Sequence, residues 1–273
     1  MRWFFALNEE SPAFADYSDM IKAAVQSARE KTRLEPCFLF DGSPCPLTRW
    51  LEERGVTVIR RRWSLLDEFN RVAAESGHTG LVGYAGGIFL RTDIPRIVLE
   101  QGWEDEEVLY TDCDILFVGD PEPLFPSLRG AYFGVGPEFD PADTEAMNSG
   151  VMLMRLPALR AVAGPFERFI RANMADCARY TDQYAYRVFF RHGWRGLPPE
   201  LNWKPYWGEN PGARIIHFHA AKPFLRPILA SGGGTPVQRA FARGAFDHYC
   251  ALWDRAFAAA TSTGPAPDRQ RHD

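Results

Sequence analysis

The chain has 273 residues, of which 46% are hydrophobic and 24% charged, with a formal net charge of −4 and a pI of about 5.9. That is ample for a packed core, as one large α/β domain or a domain with a subdomain, and it argues against a whole-protein electrostatic grip on nucleic acid. Five cysteines without a C-x-x-C pair predict reduced thiols and a cytoplasmic protein; no window is apolar enough for a membrane span or, at the N-terminus, a signal peptide, while peripheral membrane contact stays open.

Taken in chain order, "RWFFAL" (2–7) predicts a first strand. In "YSDMIKAAVQSARE", Met20, Ile21, Ala24, Val25 and Ala28 recur at helical spacing. "CFLFDG" (37–42) predicts a second strand, "PLTRWLEERG" a short helix closed by Gly55, and "VTVIR" a third strand with a solvated basic end at Arg60–Arg62. "SLLDEFNRVAAES" predicts another helix with Ser64 as its N-cap. This β-α-β-α-β-α alternation points to a mostly parallel sheet with helices on its faces. "VLYTDCDILFVGD" (108–120) follows as a buried strand, with Asp112 and Asp114 late in it, where such sheets place ligands.

In the second half, "NSGVMLMRL" (148–156) predicts a strand and "ALRAVAGPFERFIRANMADC" a helix broken near Gly164-Pro165. "TDQYAYRVFFRHG" predicts a helix beginning after Thr181, "ELNWKPYWGENPG" an aromatic-rich loop, and "ARIIHFHAAKPF" a strand running into a loop. "SGGGTP" (231–236) reads as a mobile segment, before a last helix over roughly 237–259. The expected organisation is one domain over residues 1–260, with the part after about residue 200 wrapping one edge, and a disordered polar tail at 261–273.

Two carboxylates inside an apolar run cost several kcal/mol unless a positive group pairs with them. On a strand, side chains at i and i+2 share a face, so Asp112 and Asp114 can converge on one cation. Hard oxygen donors suit Mn²⁺ or Mg²⁺, with diphosphate oxygens completing the shell. The tripeptide alone is weak evidence; its apolar flanks carry the argument. Phosphatases of the haloacid dehalogenase type also carry an Asp-x-Asp after a strand, but near the N-terminus and without the Ile115-Leu116 that follows here. In "IIHFHAAKPF" (215–224), His217 is the stronger candidate ligand and His219 the weaker, and Lys222 can meet a phosphate. One histidine with two aspartates favours Mn²⁺ over Mg²⁺.

The order "LRTDIP … VLYTDCDILF … MNSGVMLM … TDQYAYRVFF … LNWKP … IIHFHAAKPF" resembles glycosyltransferase family 8 over roughly residues 3–225. These are retaining enzymes that use a nucleotide-sugar donor. The resemblance implies an α/β protein of GT-A type, a Rossmann-like mixed sheet flanked by helices in a single domain. It implies Asp112, Asp114 and His217 as ligands of Mn²⁺, with Mg²⁺ as the alternative, on the donor diphosphate. Lys222 would touch that diphosphate, Asn148 would lie beside the donor sugar, and Asp182 and Gln183 would face the reacting sugar. Leu7, Asn8 and Tyr17 are the nucleoside candidates, and Cys113 between the aspartates joins the same donor site. The implied donor is a UDP-sugar, glucose or galactose foremost. The acceptor is open: a lipopolysaccharide core, a glycan, a protein or a small molecule.

The chain also departs from the family pattern. Many members carry "YAR" ahead of the metal strand; here "YAGG" (84–87) lacks the arginine, and Arg91 is the candidate substitute. Ala220 stands where a glycine is usual, and Phe224 where tryptophan is frequent. Bland readings accompany the others: Asn148 as a turn residue, Asp182 as a helix N-terminal acid, and Trp203, Tyr206 and Trp207 as either a sugar platform or packing under a loop. Retention with no clear nucleophile beyond Asp182 points to front-face attack. The two other readings are a degenerate member that binds a nucleotide-sugar or glycan without transfer, and a metal-dependent nucleotide-sugar hydrolase.

Overall fold

The computed structural model describes residues 1–143 and 145–262. Its first part follows the expected alternation. β1 (Arg2–Asn8), α1 (Phe14–Lys31), β2 (Glu35–Asp41), α2 (Pro46–Glu52), β3 (Thr57–Arg60) and α3 (Leu66–Ser76) occur in that order, with β2 parallel to both β1 and β3. β1 is buried on both faces: Trp3, Phe5 and Leu7 enter one apolar cluster, Phe4 and Ala6 another. That is the period-two split of a strand covered on both sides. α1 divides similarly, with Ile21, Ala24, Val25 and Ala28 in a sheet cluster and Met20 and Ala23 in a third cluster shared with the C-terminal helix.

Ser64 does not cap α3. Leu65 takes the cap position with no side-chain bond, and Leu65 and Leu66 are both buried. Their burial sets the entry of the chain, while Asp67 and Glu68 supply the negative charge that a helix N-terminus favours. Gly77, at φ +74°, closes the helix in the left-handed region.

α4 (Ala85–Ile88), a 3₁₀ turn (Phe89–Asp93) and α5 (Ile94–Glu100) lead into β4 (Glu107–Thr111), which is parallel to β1. Residues 108–120 do not form one strand. The chain leaves the sheet at Asp112, and β5 (Ile115–Phe117) pairs antiparallel with the later segment Ile215–His217 in a separate two-stranded sheet. The break frees both carboxylates from an apolar strand face and lets each reach a cation.

β6 (Phe133–Pro137), β7 (Met147–Arg155), α6 (Leu156–Ala172), α7 (Met174–Phe190), β8 (Trp194–Gly196) and β9 (Ile215–His217) follow. The main sheet has seven strands in the order β3-β2-β1-β4-β7-β6-β8, with β7 antiparallel to β4 and β6. α6 is not broken at Gly164-Pro165. Both residues are exposed, so the carbonyl that Pro165 leaves without a partner faces water. The discontinuity comes later, at Thr181 (φ +71°, ψ −177°), and helical geometry resumes at Asp182.

The C-terminal part adds α8 (Arg226–Ala230), α9 (Pro236–Phe241) and α10 (Phe246–Thr261), the last packing on α1. The single last helix expected here is divided at Gly244, whose φ is +64° and where a Cβ would lie 2.8 Å from the Pro205 carbonyl. The expected tail lies outside the described residues from position 263 onward. Among the described residues, no helix is long and apolar enough to cross a membrane. The five cysteines are unpaired.

Candidate active site

The ends of β1, β4 and β9, the start of β7 and the restart of α7 meet around a cavity of about 450 Å³. Its wall includes each site residue singled out from the sequence: Leu7, Asn8, Tyr17, Arg91, Asp112, Cys113, Asp114, Asn148, Asp182, Gln183, His217 and Lys222. Their side chains are not equally free.

Each of the two aspartates has its own cation. Asp112 Oδ1 lies 2.7 Å from Arg91 Nη2 and also accepts from the Tyr110 hydroxyl at 3.3 Å. Asp114 contacts the Lys222 ammonium and lies 3.4 Å from His217 Nε2. Burial opposes ionisation of Asp114, but Lys222 and then His217 outweigh it and hold the carboxyl well below the usual range. Arg91 is the buried hub. Its Nη1 donates to the Ser149 carbonyl at 2.6 Å, and its Cζ sits 4.2 Å from the Tyr110 ring centre. Its Nε–H donates to the Ile88 carbonyl at 3.2 Å, so Asp182 Oδ2, although 3.0 Å from that nitrogen, receives no hydrogen bond. Burial pushes the Asp182 carboxyl up to about 6 against the opposing charge of Arg91.

Ligand atoms of Asp112, Asp114 and His217 lie within 4.8 Å of one another. Two carboxylates and an imidazole are a fitting donor set for a hard to borderline divalent cation. Space for the imidazole depends on Gly150, where a Cβ would come within 2.2 Å of His217 Cε1. His219 does not join this set. β9 ends at His217, and the His219 ring turns toward Glu138, 3.3 Å away, and the Tyr206 hydroxyl, 3.2 Å away. Ala220 adopts φ +60°, the left-handed geometry suited to the glycine that the family pattern places there.

Asn8 is committed to the backbone: its amide donates to Gly83 O at 2.7 Å and accepts from Gly87 N–H at 3.2 Å. This explains "YAGG". A Cβ at Gly87 would lie 3.0 Å from Asn8 Oδ1, so small residues let α4 close on the end of β1. Arg91 enters the site from the following 3₁₀ turn. Cys113 donates its thiol to the Ala6 carbonyl at 2.9 Å, fastening the Asp112–Asp114 turn to β1. Tyr17 meets Phe224 edge-on at 6.0 Å. Thr181 Oγ1 accepts from Gln183 N–H at 3.2 Å, an N-cap-like bond that starts the second half of α7 beside the cavity.

Sequence reasoning missed Glu138. Buried at the end of β6, it accepts from Asn148 Nδ2 at 3.1 Å and Gln183 Nε2 at 2.8 Å. No motif marks it; the nearest signal is an acid directly after an apolar, glycine-rich run. Asn202, in "LNWKP", was also given no role, yet it is fully buried against Asn148 and His217. Trp203, Tyr206 and Trp207 are not among the residues lining the cavity. They brace its surrounding loops, donating to Gly208 O, Glu138 O and Phe139 O at 2.8, 3.1 and 2.7 Å.

No protein-family model and no curated protein matches the sequence. Solved structures do match the architecture. The galactosyltransferase LgtC, in a complex with donor and acceptor sugar analogs, superposes with a TM-score of 0.65 at 16% identity, over 97% of this chain and 98% of that one. The chain has a GT-A glycosyltransferase fold. The glycosyltransferase GlyE of Streptococcus pneumoniae TIGR4 shares it with a TM-score of 0.62 at 16% identity, over 94% of this chain and 63% of GlyE, so the present chain spans less than two thirds of that protein. Mouse xyloside xylosyltransferase 1 gives 0.53 at 15% identity, over 80% of this chain and 97% of its own. At these identities the GT-A likeness is one of fold.

Proposed function

We propose that the chain is a retaining, metal-dependent glycosyltransferase of the family 8 type, moving a hexose from a nucleotide-sugar to a glycan-like acceptor. UDP-glucose or UDP-galactose is the donor this reading favours. The observation that carries it is the convergence of Asp112, Asp114 and His217 within 4.8 Å, with Lys222 on the same carboxylate, in the cavity of a GT-A fold. The unpaired cysteines support a cytoplasmic setting.

As the sugar leaves its diphosphate, the anomeric carbon gains positive charge and the leaving group negative charge. A divalent cation, Mn²⁺ or Mg²⁺, held by Asp112, Asp114 and His217 supplies Lewis-acid charge at that leaving group when bound. Lys222 adds a preorganised ammonium at the same place. Arg91 keeps Asp112 in position and supplies the arginine absent from "YAGG", which weakens the degenerate reading. Asp182 is buried beside Arg91 and would be a poorly placed nucleophile, so front-face attack is favoured, with the leaving phosphate taking the acceptor proton.

The deciding experiment is calorimetric titration of UDP with and without Mn²⁺, repeated for Asp114→Ala. Manganese-dependent binding lost in the variant supports the reading; no UDP binding in either condition counts against it. Asp182→Asn retaining most activity supports front-face attack, whereas a sugar trapped on Asp182 would refute it.

A further inference from the structure

The hydrogen bonds behind His217 run in one direction. Glu138 accepts from Asn148 Nδ2 at 3.1 Å. Burial alone would favour the neutral acid, but His219, Asn148 and Gln183 hold Glu138 below the usual carboxyl range. An ionised carboxylate only accepts, so the amide nitrogen of Asn148 must face it. At the other end of the same amide, Oδ1 accepts from the Gly150 backbone N–H at 3.1 Å, a group that only donates. Asn148 is thus oriented from both sides by partners whose roles cannot be exchanged.

That orientation passes to the next amide. Asn148 Oδ1 also receives Asn202 Nδ2 at 2.9 Å, which turns Asn202 Oδ1 toward His217 Nδ1, again at 2.9 Å. An amide oxygen only accepts, so this bond needs the hydrogen on Nδ1. Nε2 faces Asp114 at 3.4 Å, a carboxylate that also only accepts, so without a cation Asp114 and Asn202 compete for the ring hydrogen; a cation seated between Nε2 and Asp114 would remove that competition and leave the hydrogen on Nδ1. Glu138, Asn148, Asn202 and His217 are all buried, and Asn202, the link between Asn148 and His217, is fully so. The seat of Asn202 is itself tight: a Cβ on Gly136 would lie 2.7 Å from Asn202 Cβ.

We propose that Asn202 is a positioning residue that holds His217 as its Nδ1–H tautomer, so that Nε2 offers its lone pair to the divalent cation shared with Asp112 and Asp114. The free side chain favours hydrogen on Nε2, so the protein selects the rarer form. This inference rests on the metal-site reading above and adds to it a relay, Glu138 to Asn148 to Asn202 to His217. A ligating histidine is commonly oriented through its other ring nitrogen. Here the orienting group is an amide whose own polarity is set two residues away along the bonded chain.

The test is made on the metal-free full chain carrying Asp114→Ala, so that no carboxylate competes for a hydrogen on Nε2. With ¹⁵N-labelled histidine at about pH 8, where an ordinary imidazole is neutral, long-range ¹H–¹⁵N spectra report the tautomer directly. The His217 signals are assigned by their loss in His217→Ala. With Asn202 intact this chain is expected to show Nδ1–H, and adding Asn202→Asp, which retains an acceptor, is expected to keep it. Adding Asn202→Leu is expected to shift it toward Nε2–H, and Asn202→Leu alone is expected to bind Mn²⁺ about 10–100-fold more weakly than wild type. An Nε2–H tautomer with Asn202 intact overturns the relay even if the wild type binds Mn²⁺. An unchanged tautomer and affinity on Asn202→Leu overturn it as well. If the Asn202→Leu chains fail to fold, the spectrum with Asn202 intact decides. Failure of wild type to bind Mn²⁺ would refute the metal site itself, and the metal-free tautomer would still decide the relay.

Discussion

Arg91 Nη2 lies 2.7 Å from Asp112 Oδ1, although one residue comes from the turn before α5 and the other from the gap between β4 and β5. The same guanidinium stands beside Asp182, and its side chain is only 3% exposed. Replacing it leaves two carboxylates without their cation, one of them fully buried. Arg91→Met is expected to lower the unfolding free energy by about 3–5 kcal/mol, the usual cost of removing one partner from a buried pair. Urea titration measures this, and an unchanged midpoint and slope would contradict the hub role.

Asp182 makes a pH-dependent contribution of defined sign. Its folded-state pKa is raised from 3.8 to about 6 by burial, so between those values the folded protein holds a proton that the unfolded chain has released. The stabilisation is fully present below about pH 4 and is lost as pH rises through about 6. Asp182→Asn removes this dependence. The variant's stability relative to wild type is expected to rise from about pH 4.5 to about pH 7, on the order of 1 kcal/mol. Urea titrations at both ends of that window test it; a difference independent of pH would count against it.

Gly150 is required by packing against the imidazole rather than by its backbone angle. A Cβ there meets His217 Cε1 at 2.2 Å and Asn148 Oδ1 at 3.0 Å. Gly150→Ala is expected to displace His217, weakening Mn²⁺ binding at least about tenfold. The overpacking is expected to cost about 1–3 kcal/mol of stability. Calorimetry and thermal melts read the two effects separately, and retained affinity with lowered stability would show that the ring is not a ligand.

Lys222 contacts Asp114, so on the proposed function it would compete with a divalent cation for that carboxylate until a diphosphate arrived. Lys222→Met is therefore expected to tighten Mn²⁺ binding without nucleotide by about 3–10-fold, roughly 1 kcal/mol. The same variant is expected to weaken UDP binding in the presence of Mn²⁺. The opposite signs are the test. Weakening of both would make Lys222 a general brace of the turn.

Much of this was legible before any coordinates. β1 and β2 are short apolar runs and α1 and α3 carry the 3.6 period, with candidate site residues only at the end of β1 and at Tyr17, so the order of these elements could be read directly. The residues around the cavity stood out because charged groups interrupt apolar runs, as at Asp112 and Asp114. What was hidden has physical reasons. β6 reads "FGVGP", a turn-like composition, because a Cβ on Gly134 or Gly136 would come within 2.6 Å of Leu197 or 2.7 Å of Asn202. β8 is three residues long and mostly exposed, without an apolar run to announce it. The break at Asp112 depends on a partner strand about a hundred residues later, a distance over which local patterns carry no information. Glu138 and Asn202 act through long-range hydrogen bonds, which leave no spacing to detect.

The crossing of the chain from the large sheet to the small one has a mechanical consequence. Asp112 hangs from the end of β4, whereas His217 belongs to β9, which pairs with β5 in the second sheet and bridges Trp203 on its other edge. A cation gripped by both would act as a rivet through the seam between the sheets, tightening it when loaded and letting it relax when empty. Amide exchange along β5 and β9 is expected to slow on Mn²⁺ addition while β2 and β3 stay unchanged. Donor capture and stiffening of the C-terminal third would then be one event.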